Sequence, residues 1–316
     1  KPYEFQKLHG MGDEIYNHFI KNKEFNCRVY APVGGYNDLL PYLVRRLLEN
    51  GANTSFIHQL NKKHVNVQEL VQSPLDKIPK LALKEIKDPL EIFPDRKNSK
   101  GIDLSEEYNI MLFSKLDFLK DVSAYSIVCG KEIPSNISTN ITSPHSTANV
   151  FGKAYFADNE IVQKALLSLN SYSEAWKNED INNRINIINN FADLLEENYT
   201  RLVTACVKEA GKTIEDSIAD IREAIDFCRY YALLSKDLFK DTLLPGPTGE
   251  TNIYRLKGKG LTVVISPWNF PIAIFVGQLV AALISGNVVL AKPAEQTSYC
   301  AYIVFKLLSK SGLPKE

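Results

Sequence analysis

The stretch from Leu261 to Ala291 carries no charged residue, in a chain in which 23% of the residues are charged. A helix that crosses a bilayer needs about 20 consecutive apolar residues. The run is interrupted before it reaches that length, by Pro267, Asn269, Pro271, Gln278 and Gly286. The interruptions argue against a membrane span and favour a strand, a helix and a second strand.

The two strands of this unit are predicted at Leu261–Ser266 and Asn287–Ala291, which are short apolar runs. Pro271 suits the first turn of the helix between them. Strands that are apolar on both faces are typical of parallel α/β sheets covered by helices. Such sheets bind ligands beyond the carboxyl ends of their strands, where Lys292 and Glu295 follow. The pattern predicts a nucleotide site, although the usual GxGxxG motif is absent.

Length and composition limit the classes of function. A chain of 316 residues has room for about two domains. Lys+Arg and Asp+Glu both number 37, so the charge balance gives no indication of a nucleic-acid partner. The five cysteines form no C-x-x-C pair, and the five histidines show no metal-ligand spacing. These counts argue against a disulfide framework and a metal site, and they favour a cytoplasmic protein.

Three zones follow one another along the chain. Residues 1–66 have an α/β pattern, with a strand predicted at Cys27–Val33, a helix at Leu39–Glu49 and an extended piece at Ser55–Ile57. Residues 67–159 are rich in proline and contain a Ser/Thr/Asn-rich segment, which predicts a connector with short helices and no third compact domain. Residues 160–316 begin with helical patterns and end in the apolar run.

Capping residues divide the helical part of the third zone. Asp158 or Asn159 could cap a helix over Glu160–Asn178. Ile181–Lys208 carries one apolar stripe, which predicts a single helix. Thr213 begins a capping-box pattern that predicts the start of the next helix.

Arg45 and Arg46 are the first candidates for substrate binding. Neighbouring helix positions differ by about 100°, so both guanidinium groups can approach one edge of the same apolar face. Two converging arginines can hold a carboxylate, and Tyr30 and Tyr42 could cover an apolar ring. Spacing alone favours the alternative, in which the arginines are solvated and the tyrosines belong to the core.

Asn269 lies between two prolines in the turn that follows the first apolar strand. Its amide could donate to a developing oxyanion, whereas position alone favours an asparagine that caps the turn. Lys292 and Glu295 could bind the hydroxyls of an adenosine ribose, and the alternative is a solvated loop.

Two sets of motifs resemble the PutA family of bifunctional proline-utilisation proteins. The first set is similar to the NAD-binding half of the aldehyde dehydrogenase superfamily, and in particular to the 1-pyrroline-5-carboxylate dehydrogenase domain of PutA: Val264–Pro271, Ala291–Thr297, Lys208–Thr213, Asp226–Tyr231 and Leu244–Glu250. The second set is similar to the last strands and helix of the proline dehydrogenase barrel: Glu4–Gly12, Arg28–Gly34 and Tyr42–Phe56. The resemblance implies an α/β chain. Residues 1–66 would form the C-terminal end of a (βα)8 barrel, residues 67–159 a linker, and residues 160–316 the N-terminal part of a Rossmann-like NAD-binding aldehyde dehydrogenase domain.

The resemblance also implies an activity, the conversion of L-proline to L-glutamate. FAD-dependent proline oxidation would be followed by NAD-dependent oxidation of 1-pyrroline-5-carboxylate, after its hydrolysis to glutamate semialdehyde. A quinone as electron acceptor, a homodimer, and a location in the cytoplasm or at the periphery of the inner membrane are further implications.

Residue by residue, the resemblance implies two sites. Arg45 and Arg46 would pair with the proline carboxylate, while Leu8, Tyr30 and Tyr42 would line the substrate pocket and Glu49 and Phe56 would lie near FAD. The residues that would contact NAD are Ile265, Ser266, Pro267, Trp268, Lys292 and Glu295. Asn269 would be the oxyanion donor for the intermediate formed on a catalytic cysteine.

The chain also departs from the family pattern. It begins at Lys1 without Met or a signal peptide and ends directly after an amphipathic helix, so we expect an internal fragment. The family's nucleophilic cysteine and general-base glutamate have no counterpart, since Cys300 lies in the helix after the Lys292 strand. Without a thiolate an aldehyde dehydrogenase cannot form its covalent intermediate, which predicts that this chain alone is inactive.

Two other interpretations stay open at this point. The chain could be a non-catalytic module from a split gene, which binds nucleotide or pairs with other subunits. It could also be a monofunctional aldehyde dehydrogenase with an unrelated leader, which Arg45 and Arg46 near Tyr30 disfavour.

Overall fold

The structure is a computed structural model that describes residues 4–10, 12–13, 16–17, 26–51, 87–113 and 119–316, with the backbone alone for residues 46–51. The chain divides into two compact units, Lys1–Leu83 and Lys84–Glu316. In the described parts, no helix is long and apolar enough to cross a membrane. The three zones expected at 1–66, 67–159 and 160–316 stay a prediction.

The first unit contains a parallel strand pair and a helix. β1 (Glu4–Leu8) and β2 (Asn26–Tyr30) pair in parallel, with Leu8 beside Tyr30 at their carboxyl ends. The helix α1 (Tyr36–Gly51) follows β2. The strand and helix predicted here are confirmed with shifted ends. The extended piece predicted at Ser55–Ile57 lies outside the described residues.

The second unit begins with a helix and a set of strands. These elements are α2 (Glu107–Leu112), β3 (Val122–Ala124), β4 (Ser126–Val128), β5 (Lys131–Ile133), β6 (Ser138–Ser143) and β7 (Ser146–Tyr155). β7 pairs antiparallel with β6 and parallel with β3, while β4 and β5 form a hairpin.

Residues 122–155 therefore form mostly strands, where the sequence predicted short helices, and the role of residues 67–159 as a connector stays a prediction. The Ser/Thr/Asn-rich segment forms β6 and the turn into β7. Ile141, Phe151 and Ala154 of this hairpin are buried in the core, and burial against a remote partner decides strand formation more than composition does.

Helices build the middle of the second unit. They are α3 (Asn159–Lys177), α4 (Ile181–Glu197), α5 (Tyr199–Ala205) and α6 (Ile214–Leu238), with a π-helical turn at Cys206–Ala210 before α6. Asp158 caps α3 by accepting from the backbone N–H of Ile161 at 2.9 Å. Thr213 caps α6 by accepting from the N–H of Asp216 at 3.0 Å. Both capping predictions are confirmed.

The single helix predicted over Ile181–Lys208 is divided at Asn198. The side-chain amide of Asn198 donates to the carbonyl oxygen of Leu194 at 2.8 Å, which satisfies the end of α4. Asparagine competes in this way with helical backbone bonds, so α5 starts as a separate helix.

The apolar run forms the strand–helix–strand unit that the sequence predicted. β10 (Leu261–Ile265), α7 (Ala273–Ile284) and β11 (Val288–Lys292) follow a short hairpin of β8 (Thr242–Leu244) and β9 (Asn252–Tyr254). A 3-10 turn at Glu295–Thr297 then leads into α8 (Ser298–Leu308).

Gly286 ends α7 in the left-handed region, with φ of 82°. Its N–H donates to the carbonyl oxygen of Leu283 at 3.0 Å, and the N–H of Asn287 donates to the carbonyl oxygen of Ala282 at 3.1 Å. These are the two bonds of a Schellman motif, which turns the chain back into the parallel strand β11.

One buried core joins the helices of the second unit. Its fully buried large side chains come from α4 to α8 and include Phe191, Leu202, Ile221, Ile225, Val276 and Ile303. Trp176 of α3 adds a buried hydrogen bond from its indole N–H to the carbonyl oxygen of Leu283, at 3.1 Å. The ends of β10 and β11 thus rest on a closely packed helical layer.

Gly152 provides a test of the β3–β7 pairing, since it lies opposite Val122. A Cβ at Gly152 would overlap the side chain and the carbonyl oxygen of Val122. We expect Gly152→Ala to lower the free energy of unfolding by about 1–3 kcal/mol, as measured by denaturant titration. The control is Gly101→Ala, whose added Cβ would make only ordinary contacts with Arg222. Equal losses in both variants would contradict the pairing.

Candidate functional site

The carboxyl ends of β10 and β11 bring the predicted NAD contacts together. Ile265 and Lys292 are register partners, and the N–H of Ser266 donates to the carbonyl oxygen of Lys292 at 3.2 Å. The ammonium group of Lys292 lies 3.0 Å from Glu295 Oε2, and both side chains are exposed. The Glu295 backbone N–H, together with Lys292, lowers the pKa of Glu295. A donor and an acceptor for hydroxyl groups therefore stand together at the end of the sheet.

The turn after β10 presents apolar surface beside this pair. Trp268 is 54% exposed and Ile265 is 66% exposed. Pro267 is also exposed in the same turn. Ser266 in contrast is buried, and its hydroxyl group has no hydrogen-bond partner among the described residues. Buried polar atoms without partners are uncommon in folded proteins, so this hydroxyl is a candidate contact for a ligand.

Asn269 is exposed in the same turn, and its backbone is held by a lysine whose side chain is 11% exposed. Lys212 donates to the carbonyl oxygen of Asn269 at 3.2 Å and lies 4.3 Å from the centre of the Phe270 ring. The described residues make no hydrogen bond to the Asn269 side-chain amide, so the turn-capping alternative is not seen there. The oxyanion role of this amide stays a prediction.

Asp220 stabilises the same turn from the interior of the protein, and the sequence analysis did not single it out. It is fully buried in α6, where Oδ1 accepts from the N–H of Ala273 at 2.6 Å and Oδ2 lies 3.1 Å from Lys212 Nζ. Burial raises the pKa of Asp220, and Lys212 opposes this shift. The available signal was its position on the face of α6 that also buries Ser217 and Ala224, because a carboxylate on a buried face needs partners.

Glu209 was also missed, although it belongs to a motif that carried the family resemblance. It is 4% exposed in the π-helical turn, and its carboxylate accepts from the N–H groups of Tyr299 at 2.8 Å and Cys300 at 2.7 Å. These donors belong to the first turn of α8, where helix N–H groups lack intrahelical partners. Burial raises the pKa of Glu209 to about 7, against the effect of the two backbone donors.

Three of the five cysteines are fully buried, at positions 206, 228 and 300. Burial raises the pKa of Cys228. A hydrogen bond with Cys206, together with burial, raises the pKa of Cys300 well above its ordinary value. A thiol is nucleophilic only as the exposed thiolate, so the buried Cys300 is not poised as a nucleophile.

A mostly apolar cavity of about 650 Å3 lies along β11. Its walls include Lys292 and Glu295 but no residue of β10 and none of the turn that carries Trp268 and Asn269. The cavity thus borders Lys292 and Glu295 but not Ile265. Chemistry and strand geometry, rather than cavity size, identify the candidate site.

In the first unit, Leu8 and Tyr30 are neighbours at the carboxyl ends of β1 and β2. The N–H of His9 donates to the carbonyl oxygen of Tyr30 at 2.9 Å. Carboxyl ends of parallel strands are where α/β barrels bind substrates, so the two predicted pocket residues stand in a suitable place.

The remaining residues predicted for the proline site lie on or after α1. Tyr42 is half-buried and Arg45 is exposed, one helical turn apart. The side chains of Arg46 and Glu49, and the whole of Phe56, lie outside the described residues. Their roles stay a prediction.

Comparison with known proteins gives two family matches in one chain. Residues 134–316 match the model of the aldehyde dehydrogenase family, and residues 1–59 match that of proline dehydrogenase. The bifunctional protein PutA of Salmonella typhimurium is 37% identical over 329 residues, which cover 99% of this chain and 24% of that protein. This chain therefore spans about a quarter of the length of the PutA relatives that it matches.

Solved structures of PutA and of 1-pyrroline-5-carboxylate dehydrogenase also match this chain. PutA from Bdellovibrio bacteriovorus inactivated by N-propargylglycine has a TM-score of 0.68 at 31% identity, over 98% of this chain and 32% of that chain. A 1-pyrroline-5-carboxylate dehydrogenase from Thermus with bound NAD has a TM-score of 0.65 at 27% identity, over 69% of this chain and 43% of that chain.

The buried carboxyl group of Glu209 predicts a pH dependence of stability. Its pKa of about 7 in the folded chain exceeds the ordinary value of 4.5, so the folded state binds more protons between these values. The free energy of unfolding should therefore fall by roughly 3 kcal/mol as pH rises through this window. Glu209→Gln should remove this part of the slope in denaturant titrations, whereas Glu215→Gln, at an exposed position, should keep it. Identical slopes in all three proteins would contradict the assignment.

Proposed function

Because this chain belongs to the aldehyde dehydrogenase family, we propose that the protein carrying this sequence oxidises an aldehyde with NAD at the carboxyl ends of β10 and β11. The observation that carries the proposal is the register pair of Ile265 and Lys292 beside the Trp268–Asn269 turn. Parallel α/β sheets bind nucleotides at such an edge. The Thermus relative that has the same fold contains bound NAD.

The residues at this edge fit the groups of a dinucleotide. Lys292 can donate to ribose hydroxyls and Glu295 can accept from them. The exposed side chains of Ile265, Pro267 and Trp268 can pack against the flat or apolar parts of the dinucleotide. The buried Ser266 hydroxyl supplies a further polar contact. NAD, when bound, supplies the hydride acceptor, and these residues orient it against the substrate.

Asn269 would stabilise the negative charge that develops on the aldehyde oxygen. The Asn269 backbone carbonyl oxygen accepts a hydrogen bond from Lys212, which fixes the turn that carries the side-chain amide. A donor that is already held in place needs little rearrangement as the charge forms, which is the basis of oxyanion stabilisation.

We extend the proposal to the whole conversion of L-proline to L-glutamate. Its support is the order of the two family matches and the PutA relative, whose similarity covers 99% of this chain. Leu8, Tyr30 and Tyr42 would line the proline pocket, and Arg45 and Arg46 would hold the carboxylate near FAD contacts at Glu49 and Phe56. Glutamate semialdehyde, formed from 1-pyrroline-5-carboxylate, would then be the aldehyde.

Three further features of this proposal are implications of the family resemblance alone. The flavin would pass its electrons to a quinone, and the protein would form a homodimer. It would act in the cytoplasm or at the periphery of the inner membrane.

A second candidate function is a nucleotide-binding module without turnover. It is favoured by the burial of Cys206, Cys228 and Cys300, since a covalent aldehyde mechanism needs an accessible thiolate. Binding of NAD without oxidation of an aldehyde distinguishes this function from catalysis.

Calorimetric titration of the 316-residue chain with NAD tests the nucleotide site. We expect Lys292→Ala to weaken NAD binding by about tenfold, because a charge-assisted hydrogen bond to a ribose hydroxyl is lost. The matched control is Lys310→Ala, an exposed lysine beyond the far end of α8, which should bind NAD as the parent chain does. Absence of binding, or equal weakening in both variants, would refute the site.

Turnover by this chain alone is a separate measurement. We expect no NADH from 1-pyrroline-5-carboxylate with NAD, because Cys206, Cys228 and Cys300 are buried. The family resemblance assigns no nucleophile to the two partly exposed cysteines, Cys27 and Cys129. We likewise expect no reduction of a dye acceptor by proline. Product in either assay would overturn the prediction that this chain is inactive by itself.

A further inference from the structure

The corner between the π-helical turn and α6 reaches both loops of the proposed nucleotide site. Glu209 and Lys212 stand three positions apart, on either side of Gly211, whose φ of 69° turns the chain. Lys212 contacts the turn after β10, whereas Glu209 contacts the start of α8. Among the described residues, neither side chain makes a hydrogen bond or an ion pair with a predicted NAD contact.

Lys212 and Asp220 hold the first loop at two points. The Lys212 side chain is 11% exposed, and it lies between the Asp220 carboxylate and the Asn269 carbonyl oxygen. Asp220 uses its other oxygen to accept from the N–H of Ala273. The turn from Asn269 to Ala273 is thus anchored at both ends by one buried ion pair.

Glu209 holds the second loop. Its two bonds to Tyr299 and Cys300 fix the first turn of α8, directly after the 3-10 turn Glu295–Thr297. The other end of this loop is Lys292, which is fixed by pairing with β10. Glu295 therefore lies between two anchored points.

We propose that Glu209, Lys212 and Asp220 form a positioning clamp that fixes the two loops relative to each other. The clamp rests on the proposed function, because its effect on a ligand requires that these loops bind NAD. Buried ionisable groups are often less stabilising than apolar residues of the same size. Here they converge on the starts of α7 and α8, where the two loops meet the helices, and this placement makes them positioning residues.

Hydrogen–deuterium exchange of the full chain tests the clamp. The double variant Lys212→Met/Asp220→Asn removes both charges and leaves an acceptor for the N–H of Ala273. We expect amide exchange in residues 268–273 to accelerate by at least about tenfold, with residues 294–300 unchanged. Glu209→Gln should show the reverse pattern, and each variant should weaken NAD binding severalfold.

Arg229→Met is the matched control for losing a buried ion pair. Arg229 joins α6 to Asp193 and Glu196 of α4, at 2.9 and 3.1 Å. This variant should lose global stability and leave exchange in both loops, and NAD binding, as in the parent chain. Loop exchange that rises equally in all three variants, or in none, would overturn the clamp.

The two proposals fail in different ways. If the parent chain does not bind NAD, the nucleotide site is refuted, and the exchange pattern still decides whether the clamp exists. If NAD binds and the clamp variants bind it as tightly as the parent chain does, the effect of the clamp on NAD binding is refuted and the site stands.

Discussion

Parallel pairing of β10 with β11 is the constraint on which the candidate site depends. Two parallel strands require a crossover, and α7 provides it between Ala273 and Ile284. The crossover places the start of α7, the turn before it and the residues after β11 at one edge of the sheet. Lys292 is beside Ile265 for this reason, although the two residues are far apart in the sequence.

Buried charged residues fix the conformation of the turn after β10, which the strand pairing does not determine. A turn of exposed residues such as Trp268 and Asn269 makes few packing contacts, so its conformation depends on hydrogen bonds to fixed groups. Asp220 and Lys212 supply these bonds from inside the protein, where the low dielectric strengthens them and makes an unpaired charge costly. The geometry of the site thus depends on residues that would not themselves contact a ligand.

Local patterns predicted much of the fold, and long-range burial explains the rest. Asp158 and Thr213 marked helix starts correctly because capping involves residues only a few positions apart. The strands at residues 122–155 were missed because a segment rich in Ser, Thr and Asn resembles a loop. Burial of Phe151 in the core, which stabilises the strand, depends on residues far away in the sequence. The end of α4 at Asn198 was missed because its apolar stripe continues across the break.

The sequence by itself determined the fold class, the strand–helix–strand unit and the identity of the exposed candidates, because these follow from local patterns and family motifs. Only the tertiary structure decided which polar residues are buried and which backbone groups they bind. Asp220 meets Ala273 across 53 positions, and Glu209 meets Tyr299 across 90. The partner of a buried carboxylate is decided only when the protein folds. The carboxylate needs a partner because burial removes it from water, and burial depends on the packing of the whole protein rather than on adjacent residues in the chain.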